Sequence, residues 1–145
     1  MSDERIEPRL HTLESANNLL PTVIPMLELL RDDYRDLVKL KNDISAQVSA
    51  LSSQGLFVVA HRSEATINEK SLRMKNTLAE LFALGIEVKN IEWGLIDFLA
   101  ERDGRLVYLC WKLGEGRIEY WHDIDAGFAG RQPLGEESPG SDPGL

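Results

Sequence analysis

Three side chains in the last third of the chain have the chemistry that functional sites use, namely Cys110, His122 and Arg131. Cys110 is the single thiol, and it lies in the apolar run of residues 106–111. A cysteine in such a run is usually a small buried hydrophobe. No sequence neighbour would lower its pKa, as a reactive thiolate requires. We therefore expect Cys110 to be structural.

His122 follows two aromatic residues and precedes two aspartates. A metal site would need two or three further ligands, and no His-x-x-x-His spacing supplies them. The acidic residues near it in the chain are Glu115, Glu119, Asp123 and Asp125. Two interpretations stay open: His122 and Asp123 bind a metal, or a hydrogen bond to backbone or carboxylate holds a histidine at a strand end.

Arg131 follows Gly127-Phe-Ala-Gly130, where backbone amides can converge on an anion that a guanidinium also grips. The alternative is an ion pair with Asp123 or Asp125 that fixes the loop. This glycine spacing matches neither a P-loop nor a dinucleotide fingerprint. These residues suggest a site for a small anionic ligand at a sheet edge, with an unknown cofactor. Its predicted members are His122, Arg131, Asp97, Glu115, Glu119 and Trp121.

The first part of the chain predicts helices. Thr12 can cap a short helix that ends at Pro21, because proline interrupts the hydrogen-bond ladder. Residues 22–53 then predict a long helix with a coiled-coil-like seam, and residues 64–84 a second helix that folds back on it as an antiparallel hairpin. The seam steps by threes and fours through Val23, Leu27, Leu30, Tyr34, Leu37, Lys41, Ile44, Val48 and Leu51.

The predicted turn of this hairpin, residues 55–61, is too apolar for a solvated loop. Its side chains either cover the end of the hairpin or form a self-association patch. The residues of the predicted interface are Leu56, Phe57, Val58 and Val59. A seam longer than its intramolecular partner also favours a homo-oligomer, most simply a dimer.

From Ile86 onward, apolar and polar residues alternate instead of following a helical period. This pattern predicts a three- to four-stranded antiparallel meander packed on the hairpin. Asp103-Gly104 and the glycines at 114 and 116 are turn signals. We expect Phe98 beside Val107 and Cys110 beside Trp121. The core face would carry Ile96, Phe98, Val107, Leu109, Trp111, Ile118 and Tyr120. The opposite face of the sheet would carry Asp97, Tyr108, Cys110, Lys112, Glu119 and Trp121, and Lys112 and Glu119 would form an ion pair across the strands.

The fold class is therefore α+β, with a disordered N-terminus (1–11), one domain (12–131: helical to 84, then sheet and loop) and a disordered tail (132–145). We expect His11 and His61 to be solvated. Twenty-four acidic against sixteen basic residues give a net charge of -8, which argues against a nucleic-acid partner and against binding to an anionic membrane surface. No apolar run is long enough for a membrane span, so the expected location is the cytoplasm.

Several motifs in order resemble a known family: Thr12-Leu-Glu-Ser-Ala-Asn-Asn-Leu-Leu-Pro21, Gly85-Ile-Glu-Val-Lys89, Gly94-Leu-Ile-Asp-Phe98, Leu109-Cys-Trp-Lys-Leu-Gly-Glu115, Tyr120-Trp-His122 and Gly127-Phe-Ala-Gly-Arg-Gln-Pro133. The chain resembles, over residues 12–134, a bacterial family catalogued as a domain of unknown function, number 2203. The resemblance implies no established activity and no catalytic residues. It indicates that residues 87–131 form one functional unit.

Two function hypotheses follow. The first is a non-enzymatic binding or assembly module that acts as a homo-oligomer through the helical seam or the apolar turn. The second is a protein, enzymatic or not, that binds a small ligand or a metal through His122, Arg131 and neighbouring carboxylates.

Overall fold

The computed structural model describes residues 9–47 and 53–135, and it has an α+β architecture. Two long helices come first and an antiparallel sheet follows. The elements are α1 (Leu13–Gln47), α2 (Ser53–Ala83), β1 (Ile86–Asn90), β2 (Leu95–Arg102), β3 (Arg105–Lys112), β4 (Tyr120–Asp123), a 3-10 turn (Phe128–Gly130) and β5 (Gln132–Pro133). Neither helix has an apolar stretch, within its described residues, that could cross a bilayer.

The five strands lie in the order β1-β2-β3-β4-β5, so each pairs with its neighbour in sequence. The meander is confirmed, with one strand more than predicted. One sheet face packs on the helices, because alternate residues of a strand point to the same side. The buried core joins Leu20, Val23, Leu27 and Leu30 of α1 and Leu81 of α2 to Ile96, Phe98, Val107, Leu109 and Trp111 of the sheet.

Helix α1 begins where the capping signal placed it, but the predicted short helix is wrong. The Thr12 hydroxyl accepts a hydrogen bond from the Ser15 amide, and the Ser15 hydroxyl accepts one from the Thr12 amide. The helix then continues through Pro21 and Pro25 without a break. Both prolines lie on the exposed side, where water can satisfy the carbonyl groups that lose a helical partner.

Helix α2 begins eleven residues earlier than predicted, so residues 53–61 are helical and not a turn. Side-chain positions at Leu56, Phe57, Val58 and Val59 lie outside the described part of the structure, as do residues 48–52. The two helices contact each other. At their interface Arg73 donates two hydrogen bonds to the buried Asp33 carboxylate, and Lys70 lies between Asp33 and Asp36.

His11 is buried, which contradicts its predicted solvation. Its amide donates to the Leu99 carbonyl, so the segment before α1 extends the sheet beside the end of β2. Its ring connects the start of α1 to the residue that follows α2: Nε2 donates to the Leu84 carbonyl at 2.6 Å, and Nδ1 lies 3.0 Å from the Ser15 hydroxyl. Burial holds the pKa of His11 below its ordinary value, although the bond to Leu84 opposes that shift.

The end of the chain also departs from the prediction within the described residues. The sequence predicts a tail from residue 132, whereas Gln132–Pro133 form β5 and Leu134 is buried in the core. The Leu134 amide donates to the Glu119 carbonyl. The rest of the predicted tail, residues 136–145, lies outside the described part of the structure. So do residues 1–8 of the predicted disordered N-terminus.

Stability should fall in mild acid because of His11. With a pKa lowered in the folded state, the unfolded chain binds a proton more readily as the pH falls below about 6.5, so the free energy of unfolding decreases there. His11→Gln keeps a donor for Leu84 but does not titrate. Urea unfolding at about pH 8 and about pH 5.5 should show a smaller acid-induced loss in His11→Gln than in the wild type. Equal losses in both proteins would contradict this assignment.

Candidate functional site

The sheet face that turns away from the helices carries two rows of paired side chains. Residues directly opposite each other on neighbouring strands point to the same face. One row runs across the sheet through Glu87, Asp97, Cys110 and Tyr120, and the next through Leu99, Tyr108 and His122. Polar and titratable groups from four strands therefore meet on this outer face.

The β2–β3 pairing shifts by two residues relative to the prediction: Phe98 lies opposite Leu109, and Ala100 opposite Val107. Asp103 and Gly104 both have positive φ and form a two-residue turn between Arg102 and Arg105. A two-residue shift preserves the side of every residue, so the division into faces is correct for both strands.

The β3–β4 pairing shifts by one residue, and this correction forms the site. Cys110 lies opposite Tyr120, not Trp121, and Tyr108 lies opposite His122. Trp121 therefore joins the core face beside Leu109, whereas Tyr120 and His122 lie on the outer face. The predicted Lys112–Glu119 ion pair is absent among the described contacts, and the Lys112 ammonium lies over the Trp93 and Phe128 rings.

Asp97 and His122 form a buried pair, with exposed fractions of 1% and 2%. His122 Nε2 lies 3.0 and 3.1 Å from the two Asp97 carboxylate oxygens, and Nδ1 lies 2.8 Å from the Asp123 carbonyl. A carbonyl only accepts, so Nδ1 carries a proton. The Asp97–His122 contact then needs a second proton, shared between carboxylate and imidazole. Burial raises the pKa of Asp97, and the histidine opposes that shift.

Cys110 lies against the same carboxylate. Its thiol is fully buried and shares the outer face with Asp97, the residue directly opposite it on β2. Burial, together with the negative charge of Asp97, raises the pKa of Cys110 to about 12. Donor atoms of Asp97, Cys110 and His122 all lie within 4.8 Å of one another. We call these three residues the triad.

The triad forms the floor of a cavity of about 300 Å³. Its roof comes from the segment that follows β4, and its walls are largely apolar. The lining residues are Lys89, Leu95, Asp97, Tyr108, Cys110, His122, Ile124, Gly127 and Phe128. Gly127 has a φ of 73°, a conformation that glycine adopts readily, and it is followed by Phe128, which also lines the cavity.

A second polar group lies at the rim of this cavity. The Tyr108 hydroxyl donates to Glu87 at 2.7 Å, and the Lys89 ammonium donates to the same carboxylate at 2.7 Å. The hydrogen bonds from Lys89 and Tyr108 lower the pKa of Glu87, although burial opposes that shift. Burial and the Glu87 carboxylate raise the pKa of Tyr108 to about 12. At neutral pH the Tyr108 side chain at the rim is therefore a neutral phenol.

Arg131 anchors the roof and does not reach into the cavity. Its guanidinium donates two hydrogen bonds to Glu115, at 2.8 and 2.9 Å, and lies between the Tyr120 and Phe128 rings. The predicted partners Asp123 and Asp125 are therefore wrong. Burial raises the pKa of Glu115, but the hydrogen bonds from Arg131 and the Lys112 amide outweigh it and leave that pKa low.

The structure separates the other predicted site residues. The Asp123 carboxylate pairs with Arg105, and only the Asp123 carbonyl contacts His122. Glu119 is exposed, and Trp121 lies on the core face under Arg102 and Arg105. Asp97 and His122 are thus together, and Arg131 and Glu115 form a neighbouring pair. Sequence reasoning missed Cys110 and Tyr108 as site residues, although its own face assignment placed both beside Asp97.

Comparison with known proteins agrees with the motif pattern. Residues 9–134 match the family described as "Uncharacterized conserved protein (DUF2203)". The chain belongs to this family. Searches of the curated proteins and of the solved structures found no match to this chain. The bacterial origin implied by the resemblance stays a prediction. For this DUF2203 protein the geometry of the triad and its cavity is therefore the basis for any functional conclusion.

The burial of Cys110 predicts slow alkylation. Because the thiol has a pKa of about 12 and lies beneath the roof, iodoacetamide at about pH 8 should modify the native, chelator-treated protein far more slowly than the urea-unfolded protein. Mass spectrometry over time measures both rates in one chain, because Cys110 is its single thiol. Comparable native and unfolded rates would show that the roof does not protect the site.

Proposed function

We propose that this chain is a small-ligand-binding protein and that its binding site is the cavity above the triad. The observation that carries the proposal is a floor of buried polar groups, Asp97, Cys110 and His122, under a roof that the rest of the chain holds in place. Small-molecule sites commonly combine largely apolar walls with a few convergent polar groups.

Energetic reasoning supports the same conclusion. A buried carboxylate is costly unless hydrogen bonds or opposite charge compensate it, and apolar side chains of similar volume serve stability as well or better. The neighbouring positions on this face, Leu95 and Leu99, show that the strand accepts apolar residues here. Buried polar groups beside a cavity therefore contribute less to the stability of the fold than apolar side chains would, and they are better explained by ligand binding.

The contacts that hold the roof in place also support the proposal. Phe128 lines the cavity, packs edge to face on Trp93 at 5.7 Å between centroids, and lies on the Arg131 guanidinium. Arg131 in turn is held by Glu115, which also accepts from the Lys112 amide at the end of β3. Arg131 and Glu115, which the sequence predicted to bind the ligand, thus hold the roof in place and do not line the cavity.

Native mass spectrometry, compared with a denatured spectrum, tests this function. We expect the wild-type chain to retain additional mass that is lost on denaturation, and Asp97→Asn and His122→Gln to retain less because they remove polar groups of the floor. Glu119→Gln is the matched control, since Glu119 is an exposed carboxylate near the same sheet edge. A wild-type spectrum with no added mass, or equal retention in all four proteins, would refute the proposal.

A second candidate function, self-assembly through the helices, is favoured by a different observation. We infer that α1 and α2 form an antiparallel, coiled-coil-like hairpin whose far end extends beyond the sheet. In α1 the last buried residue is Asp33, although the helix continues to Gln47 with Leu37, Leu40 and Ile44 only partly buried and Tyr34 and Val38 exposed. A second copy of the chain would cover these side chains.

Sedimentation equilibrium at micromolar concentrations tests this assembly. We expect a dimer in the wild type, and a shift toward monomer in Val38→Glu because a buried charge opposes association. Leu106→Glu is the control, since Leu106 is similarly exposed but lies on the sheet, far from these helices in the chain. A monomeric wild type would eliminate this function and would leave the ligand-binding proposal unaffected.

A further inference from the structure

We infer that the triad of Asp97, Cys110 and His122 is a binding site for a divalent transition-metal ion of the zinc class, with one coordination position open to the cavity. The inference deepens the proposed function and rests on it, because it names the first component of the bound ligand. It follows from donor chemistry, donor spacing, the orientation of the histidine and the balance of charge.

The spacing of the donors suits a tetrahedral ion. Zinc bonds to sulfur at about 2.3 Å and to nitrogen or oxygen at about 2.0–2.2 Å, so neighbouring donors in a tetrahedral site lie roughly 3.3–3.7 Å apart. The donor atoms of the triad all lie within 4.8 Å of one another, and Nε2 of His122 is already 3.0 Å from Asp97. Small side-chain movements would bring all three to coordination distance.

The histidine already has the orientation that a metal ligand needs. Nδ1 donates to the Asp123 carbonyl, so Nε2 is the nitrogen directed at the triad. Metal-binding histidines commonly donate their second ring N–H to a carbonyl or carboxylate, which fixes the tautomer and the ring plane. Asp123, predicted from the sequence as a ligand, would then orient the ligand His122 through its backbone.

Charge and donor type point to the same class of ion. An ionised Asp97 and a Cys110 thiolate together carry two negative charges, which a dication neutralises in a buried site. A metal ion deprotonates a coordinating thiol outright, so the neutral resting thiol is compatible with binding. Thiolate and imidazole favour zinc-like ions over Mg²⁺ and Ca²⁺, which prefer oxygen ligands.

The three donors lie on adjacent strands and leave one position free. Asp97, Cys110 and His122 belong to β2, β3 and β4, so the hydrogen-bonded sheet fixes their relative positions. Three protein ligands with an open fourth position distinguish catalytic and substrate-binding zinc sites from closed structural ones. Here the adjoining cavity of about 300 Å³ offers space for water or a small ligand.

Titration of the chelator-treated, full-length protein with Co²⁺ alone tests the inference, because Co²⁺ occupies zinc sites and is coloured. We expect one ion per chain, visible bands of tetrahedral type, a thiolate-to-metal charge-transfer band, and displacement by Zn²⁺. Cys110→Ser should lose the charge-transfer band, and Asp97→Asn should bind at least about 100-fold more weakly, since even second-shell changes cost 10–100-fold. Glu119→Gln should match the wild type.

Circular dichroism of each variant verifies folding, and the conservative Cys110→Ser tests the ligand without a large change in volume. Binding without a charge-transfer band in the wild type, or equal binding by all variants, would overturn the metal site. If native mass spectrometry finds a retained organic molecule while Co²⁺ fails to bind, the metal inference fails and the ligand-binding function stands. If neither is found, both fail.

Discussion

The antiparallel register between β3 and β4 is the constraint on which the rest of this structure depends. Tyr108 lies opposite His122, and this pairing brings the imidazole onto the face that carries Asp97 and Cys110. A slip of one residue would exchange the faces of β4, placing His122 in the apolar core and Trp121 over the cavity. The triad, its cavity and the burial of Trp121 are therefore consequences of one alignment.

Distant contacts, and not a tight turn, fix this alignment. The connection from Leu113 to Glu119 is no two-residue hairpin, so its length leaves several registers open. The Asn17 side chain of α1 accepts from the Ile118 amide, the Trp111 indole donates to the Gly116 carbonyl, and Ile118 is buried in the core. Helix α1 thereby determines which face β4 presents, although no residue of α1 belongs to the site.

This explains how much the sequence could predict. Asp103-Gly104 determines the β2–β3 turn locally, and alternation assigned Asp97, Tyr108 and Cys110 correctly to one face. The position of His122 depended on a contact about a hundred residues away in the chain, which periodicity cannot reveal. The same holds for His11, whose ring donates to a carbonyl 73 residues away, at Leu84. Arg131 pairs with Glu115, 16 residues away, and no spacing rule singles out that carboxylate. The helix through Pro21 was missed because exposure of the proline face depends on packing.

The site also explains why two ionic networks surround it. Glu87 holds Tyr108 and Lys89 at one side of the cavity, and Glu115 holds Arg131 and the Phe128 roof at the other. Each network satisfies its own charges, so neither needs the Asp97 carboxylate as a partner. Among the described contacts, the Asp97 carboxylate consequently has His122 as its hydrogen-bond partner, and a dication could displace the proton between them. The arrangement places a carboxyl group inside the sheet face, where the proposed metal-binding floor would use it and a purely structural floor would not need it.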